Sequence, residues 1–266
     1  MKNRLLTKVS EVQKKGGKFF CAFLTLGYPS IPGVAKMALE FEKSGVDILE
    51  LGFPFSDPLA DGPTIQFSSE YALRKGVAIG DSFRLVEELR RKGMRIPVIF
   101  FSYLNPICHY GVDAFMKRAR EAGFDGVIVP DMLPGSEATF NRACKRSGIS
   151  QVFLVAPTTP EKRALAIAKK SEGFLYYVSL RGVTGARKAV PQDIQEAIGK
   201  INRAVRKPVL IGFGVSSPEQ AKKLSAMSQG VIVGSAIIDK IRASGGKTGP
   251  AIRFVQQMVR AVKGKG

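Results

Sequence analysis

Asp47-Ile48-Leu49-Glu50-Leu51-Gly52 is apolar on both parities of an extended strand, so both of its faces must be covered, and a single carboxylate interrupts it. Seven further runs have the same character: FFCAFLTLG from Phe19, PVIFFSYL from Pro97, GVIVPD from Gly126, QVFLVAP from Gln151, FLYYVSL from Phe174, PVLIGFG from Pro208 and GVIVGS from Gly230. Between them lie stretches with helical start and stop signals, such as PSIPGVAKMALEFEKSG, DSFRLVEELRRKG and SPEQAKKLSAMSQG. Pro or Ser opens them, acids fall early, bases fall late and Gly follows the last turn, as capping and the helix dipole require. Strand and helix alternate about eight times without a linker, which predicts an α/β fold of one domain over residues 1–266, a (β/α)₈ TIM barrel. The basic, amphipathic N-terminus adds a helix in front, and the longest interval, after the second run, predicts an extended second βα loop. A doubly wound open sheet is the alternative, because periodicity alone does not show closure.

Composition narrows the function classes. The 266 residues are 45% hydrophobic with 17 Phe, which excludes a disordered chain despite a formal charge of +19. The basic residues are spread as singles and pairs along the helices, which predicts a solvated, repulsive surface and not a nucleic-acid face. No apolar run approaches a membrane span, and the N-terminus lacks the apolar core and cleavage site of an export signal. Cys21, Cys108 and Cys144 stand far apart with no CxxC pair, so neither a disulfide framework nor a zinc site is expected, and a reducing cytoplasm fits. His109 is the only imidazole, and a structural role is expected for it.

Glu50 lies toward the C-terminal end of its strand, the end that faces the active-site mouth of a barrel. Burial there should raise its pKa toward neutrality and suit it to general acid/base work, the competing reading being a pair with an interior Lys. The segment that follows, GFPFSDPLADGPTIQ, is stiffened by prolines and carries Asp57 and Asp61 over the mouth. A turn role is expected for Asp57; for Asp61 a turn and a ligand contact are both open. GFGVSSPEQ and VGSAI follow the seventh and eighth runs, and the backbone N–H groups of Gly214, Gly234 and Ser235 are expected to point at the mouth as an anion site at helix starts. The sixth loop, LRGVTGAR, holds a glycine pair, including Gly185, between bases and suits a lid over a phosphorylated ligand.

LELGFPFSDPLADGPTIQ resembles the signature segment of the tryptophan synthase alpha chain family, and FLTLGYP, YLNPI, VPD, GVTGAR, GFGVSSPEQ and VGSAI continue the resemblance in order over the whole chain. It implies aldolase-like cleavage of indole-3-glycerol phosphate to indole and glyceraldehyde 3-phosphate, with Glu50 as general acid/base and Asp61 accepting the indole N–H. It further implies Phe23, Tyr103, Tyr177 and Phe213 as walls around the ring, Thr184 reaching toward Asp61 as the lid closes, and Gly185, Gly214, Gly234 and Ser235 at the phosphate. No metal or organic cofactor is implied in this chain. Pyridoxal phosphate is expected in a partner beta subunit, in an alpha2beta2 complex docked at the mouth rim; the YLNPI stretch is read either as docking surface or as an ordinary strand-to-helix loop.

Departures from the family are Leu180-Arg181 before GVTG, Tyr28 in place of an Asp in the first loop, and the basic charge balance. The alternatives are another phosphate-binding barrel enzyme, which gives no reason for the signature segment, and a non-catalytic barrel that activates a partner or binds nucleic acid, which would not need Glu50 and Asp61.

Overall fold

The computed structural model describes residues 3–178, 192–204, 207–212 and 214–264. Its strands are β1 (Phe19–Thr25), β2 (Ile48–Gly52), β3 (Val98–Phe101), β4 (Gly126–Ile128), β5 (Ser150–Gln151), β6 (Leu154–Val155), β7 (Leu175–Val178), β8 (Val209–Gly212) and β9 (Gly230–Val233). The helices are α1 (Arg4–Lys14), α2 (Ile31–Lys43), α3 (Pro63–Arg74), α4 (Ile79–Arg91), α5 (Leu104–Tyr110), α6 (Val112–Ala122), α7 (Ala138–Ser147), α8 (Glu161–Lys170), α9 (Gln192–Ala204), α10 (Pro218–Met227), α11 (Ser235–Ala243) and α12 (Thr248–Lys263).

The strands form one parallel sheet in the order β5-β4-β3-β2-β1-β9-β8-β7-β6. Its two ends, β5 and β6, are halves of one apolar run separated only by Val152 and Phe153, so the sheet closes on itself as a barrel. The expected eight runs are all strands, the fifth split in two. The break has a local cause: the Phe153 N–H donates to Ser171 Oγ at 3.0 Å instead of joining the ladder.

Parity along the strands separates two apolar layers. Phe19, Cys21, Ile48, Ile99, Ile128, Phe174, Tyr176, Leu210 and Ile232 fill the barrel. Phe20, Leu49, Leu51, Phe100, Val127, Leu175, Tyr177 and Val231 pack outward against the helices. The second βα connection is long because it contains α3 before α4, and YLNPI is not a plain loop but opens the helix α5.

The N-terminal helix closes the barrel floor. Asn3 caps α1, accepting from the Leu5 and Leu6 N–H groups, while its amide donates to the carbonyls of Asp125 and Gly148. Leu5 is completely buried and would lie within 2.9 Å of any Cβ placed on Gly173, whose φ is +78°. Leu5→Ala leaves a hole that rigid strand ends do not collapse to fill. We expect a loss of about 3 kcal/mol, measured as a shift of the denaturant midpoint with the slope unchanged.

Beside α1 sits a buried ionic knot. Asp125, with no exposed surface, binds Arg4 at 3.1 Å, Arg90 at 2.8 Å and the Val98 N–H at 3.1 Å. Arg90 also donates to the carbonyls of Met94, Ile96 and Gly123. Lys18, Lys207 and Lys263 likewise donate to carbonyls at the ends of connections, those of Ser228, Lys169 and Gly45. Part of the basic excess therefore terminates backbone at fixed positions, beyond the solvated surface expected from sequence.

Candidate active site

Glu50 is the central residue of β2, its side chain turned into the barrel by the same parity that buries Ile48, and none of it is exposed. Neither carboxylate oxygen has a hydrogen-bond partner of standard geometry among the described residues. Burial pushes its pKa up to about 8, against a weaker, looser influence of the Cys21 thiol that favours the charged form. The alternative of an interior Lys pair is absent among the described residues. A carboxyl group so placed holds its proton at neutral pH and can give it up when a base or ligand enters.

Aromatic rings stand around and above it. Phe23, opposite Glu50 in the β1–β2 register, meets Phe101 edge-to-face at 5.7 Å, and Phe101 meets Tyr176 at 6.5 Å. Two glycines make room for these rings. A Cβ on Gly52 would come within 2.3 Å of Phe23, and one on Gly212 within 2.4 Å of Tyr176.

Asp61 hangs over this chamber from the segment between β2 and α3, and shares a small cavity with Phe23, Gly52, Phe101, Ser102 and Tyr103. It is half-buried, and burial raises its pKa to about 6 while the Tyr103 hydroxyl pulls the other way. The N-cap of α3 is Gly62, which brings no side chain of its own, and among the described residues no α3 N–H donates to the Asp61 carboxylate, so Asp61 is a turn residue through its backbone while its side chain faces the cavity. Its backbone closes the turn: the Asp61 N–H donates to the Pro58 carbonyl at 3.2 Å, and its own carbonyl accepts from Gln66 Nε2 at 2.8 Å. Asp57 is the turn residue expected: it is exposed and accepts from Ser56 Oγ at 2.6 Å.

Tyr103 does more than form a wall. Its hydroxyl accepts the Ala60 N–H at 2.9 Å and faces Asp61, and burial followed by the nearby carboxylates raises its own pKa to about 12. Tyr177 is not in the chamber. It lies on the outward parity of β7, in the layer under the helices, and the ring that enters the barrel is Tyr176. The signal for Tyr176 was two-residue counting along β7 from Phe174, which needs the parity of one position and is undetermined when both faces are apolar. Phe101 went unnoticed for the same reason.

Gly234 is the N-cap of α11 and Ser235 its first residue, and the cap residue brings no side chain of its own to that helix end. Gly214 has φ +75° but does not open a helix: α10 starts at Pro218, with Ser217 accepting from the Gln220 N–H. Both motifs therefore run into helix starts, GFGVSSPEQ at Ser217-Pro218 and VGSAI at Gly234-Ser235, and only in the second do the named residues themselves form the helix end. Thr184, Gly185 and Phe213 lie outside the described residues. His109 is exposed at the end of α5, away from Glu50. No group of His, Cys, Asp and Glu among the described residues could hold a metal ion.

Relatives share both the sequence and this architecture. The profile of the tryptophan synthase alpha chain family matches residues 9–264. The tryptophan synthase alpha chain of a Thermoanaerobacter species is 41% identical over 261 residues, covering 98% of each chain, and that of Geotalea uraniireducens is 42% identical over 89% of this chain and 88% of the relative. Among solved structures, the tryptophan synthase subunit alpha of Legionella pneumophila superposes with a TM-score of 0.90 at 32% identity, over 98% of this chain and 99% of the other. A tryptophan synthase structure from M. tuberculosis in an aminoacrylate- and BRD0059-bound form gives 0.87 at 30% identity over 99% of both. In sequence over nearly the whole chain and in its fold, the chain belongs to the tryptophan synthase alpha chain family.

Proposed function

We propose that Glu50 and Asp61 divide the proton chemistry of the family's reaction, the aldolase-like cleavage of indole-3-glycerol phosphate to indole and glyceraldehyde 3-phosphate. Breaking the bond between indole C3 and the glycerol chain needs a proton on C3, compensation of the positive charge that develops at the ring nitrogen, and removal of the proton from the adjacent glycerol hydroxyl. The electron pair of the breaking bond then returns to the ring as the hydroxyl carbon becomes the aldehyde. Glu50 is the acid and base of these transfers. Asp61, ionised above about pH 6, accepts the indole N–H and stabilises the cationic ring. Phe23, Phe101 and Tyr176 flank the planar ring, and Gly214, Gly234 and Ser235 receive the phosphate, with Gly185 and Thr184 of the sixth loop completing the enclosure.

The observation that carries this reading is Glu50: a fully buried carboxyl group on a central strand, ringed by aromatics, with a second carboxylate above it. The substrate's electron-rich ring supplies what a cofactor would otherwise provide, so this chain needs none. We further assign it a cytoplasmic place in an alpha2beta2 assembly, where a beta subunit carrying pyridoxal phosphate takes up the indole. In the described residues no helix is long and apolar enough to cross a membrane.

Asp61→Asn keeps the shape of the loop and removes the charge. Indole release from indole-3-glycerol phosphate should fall by roughly a hundredfold in kcat/KM, the scale set by loss of one preorganised charge partner. Retained activity in that variant overturns the assignment of Asp61.

A further inference from the structure

Asp131 stands exposed in the connection after β4 and does not line the cavity, yet it is tied to Asp61 through named contacts. Its carboxylate accepts the Leu104 N–H with Oδ1 at 3.0 Å and Oδ2 at 3.3 Å, holding the backbone one residue beyond Tyr103. Tyr103 is 4% exposed, its ring lies 5.3 Å from that of Phe55, and its hydroxyl accepts the Ala60 N–H at 2.9 Å. Ala60 is the neighbour of Asp61, and Asp61 and Tyr103 line the same cavity. The path from Asp131 to the Asp61 loop therefore has only two anchored steps, one amide and one phenol.

We propose that Asp131 is a positioning residue for Asp61, acting through the backbone at Leu104 and the Tyr103 hydroxyl to hold the second loop at the height the ring nitrogen requires. The inference rests on the reading of Asp61 given above. Loops of this kind need an external anchor, because Pro58 and Pro63 on either side of Asp61 stiffen it without fixing its distance from the barrel. A displacement of an ångström at a charge partner is costly in rate and nearly silent in overall stability.

The groups facing Asp61 are Tyr103 at the start of α5, Tyr176 on β7 and, deeper, Glu50 on β2, with Asp131 behind Tyr103. This makes the sign of a pH effect informative. The Tyr103 O–H favours the charged form of Asp61, so losing that contact moves the acid limb of the kcat/KM profile to higher pH. Removing the Asp131 charge without moving Tyr103 takes away a like charge and moves the limb to lower pH.

The test compares Asp131→Ala, Asp131→Asn and Tyr103→Phe with the wild type in indole release from indole-3-glycerol phosphate across pH 5 to 9. Asp131→Ala and Tyr103→Phe should each lose about tenfold in kcat with KM changed less than about threefold, and both should shift the acid limb upward. Asp131→Asn, which keeps an oxygen acceptor for the Leu104 N–H, should restore most of the rate. An Ala variant with wild-type kcat, or an acid limb displaced downward, overturns the proposal. Asp61→Asn run alongside separates the cases: if it stays active, the reading of Asp61 fails, whereas a dead Asp61→Asn beside a normal Asp131→Ala defeats only the positioning role.

Discussion

Glu50→Gln should abolish indole formation and at the same time make the protein more stable in mild alkali. Losing the general acid lowers kcat by on the order of a thousandfold. The stability effect follows from linkage. The folded-state pKa of Glu50 is raised to about 8 from an ordinary 4.5, so the native state holds this proton where the unfolded chain has released it. Its contribution is fully present below pH 4.5 and is lost at about 1.4 kcal/mol per pH unit as the pH rises toward 8. Asp61, raised to about 6 from 3.8, adds a smaller loss of the same sign over its own interval. Gln cannot ionise, so the variant should gain on the order of 4 kcal/mol over the wild type at pH 8 and less than about 1 kcal/mol at pH 5. Chemical denaturation at the two pH values measures it. Parallel curves for the two proteins would mean that Glu50 is solvated or paired in solution, and its catalytic assignment would fall with that result.

The second large effect is expected at the floor. Asp125→Ala strands the Arg90 guanidinium, 12% exposed, among backbone carbonyls without its paired carboxylate, and leaves the Val98 N–H without its acceptor. Breaking a buried pair by removing one partner costs about 3–5 kcal/mol. Burial already lowers the Arg90 pKa to about 10, so the lost carboxylate was what kept this desolvated cation tolerable. A fall in the denaturant midpoint, with indole release per folded molecule unchanged, is the expected result. A loss below 1 kcal/mol would show that water enters and takes the place of the carboxylate.

These two sites differ in how far they could be read from residues alone. Glu50 is conspicuous because a carboxylate in DILELG contradicts its surroundings, and desolvation then dictates its chemistry. Asp125 occupies a position beside a strand start that any turn aspartate could fill, and its partners Arg4 and Arg90 lie 121 and 35 residues away. Strand positions were legible because strands covered on both faces have no polar side. That same property concealed which of Tyr176 and Tyr177 enters the barrel. The split of the fifth strand depends on the hydroxyl of Ser171, eighteen residues beyond the amide it captures, and no local pattern announces it. Tyr103 was recognised as part of the site, but its hydroxyl contact with the second loop needed coordinates, since a phenol in YLNPI reads equally as packing.

The floor helix has a consequence for the newborn chain. α1 leaves the ribosome before the other described elements, but Asn3 anchors to Gly148 and Ser150, and Leu5 seats against Gly126 and Gly173. Its berth is not finished until well over half of the polypeptide has been synthesised. During that interval its apolar stripe must wait, wet or borrowed by a chaperone, until the strand ends that receive it have been made.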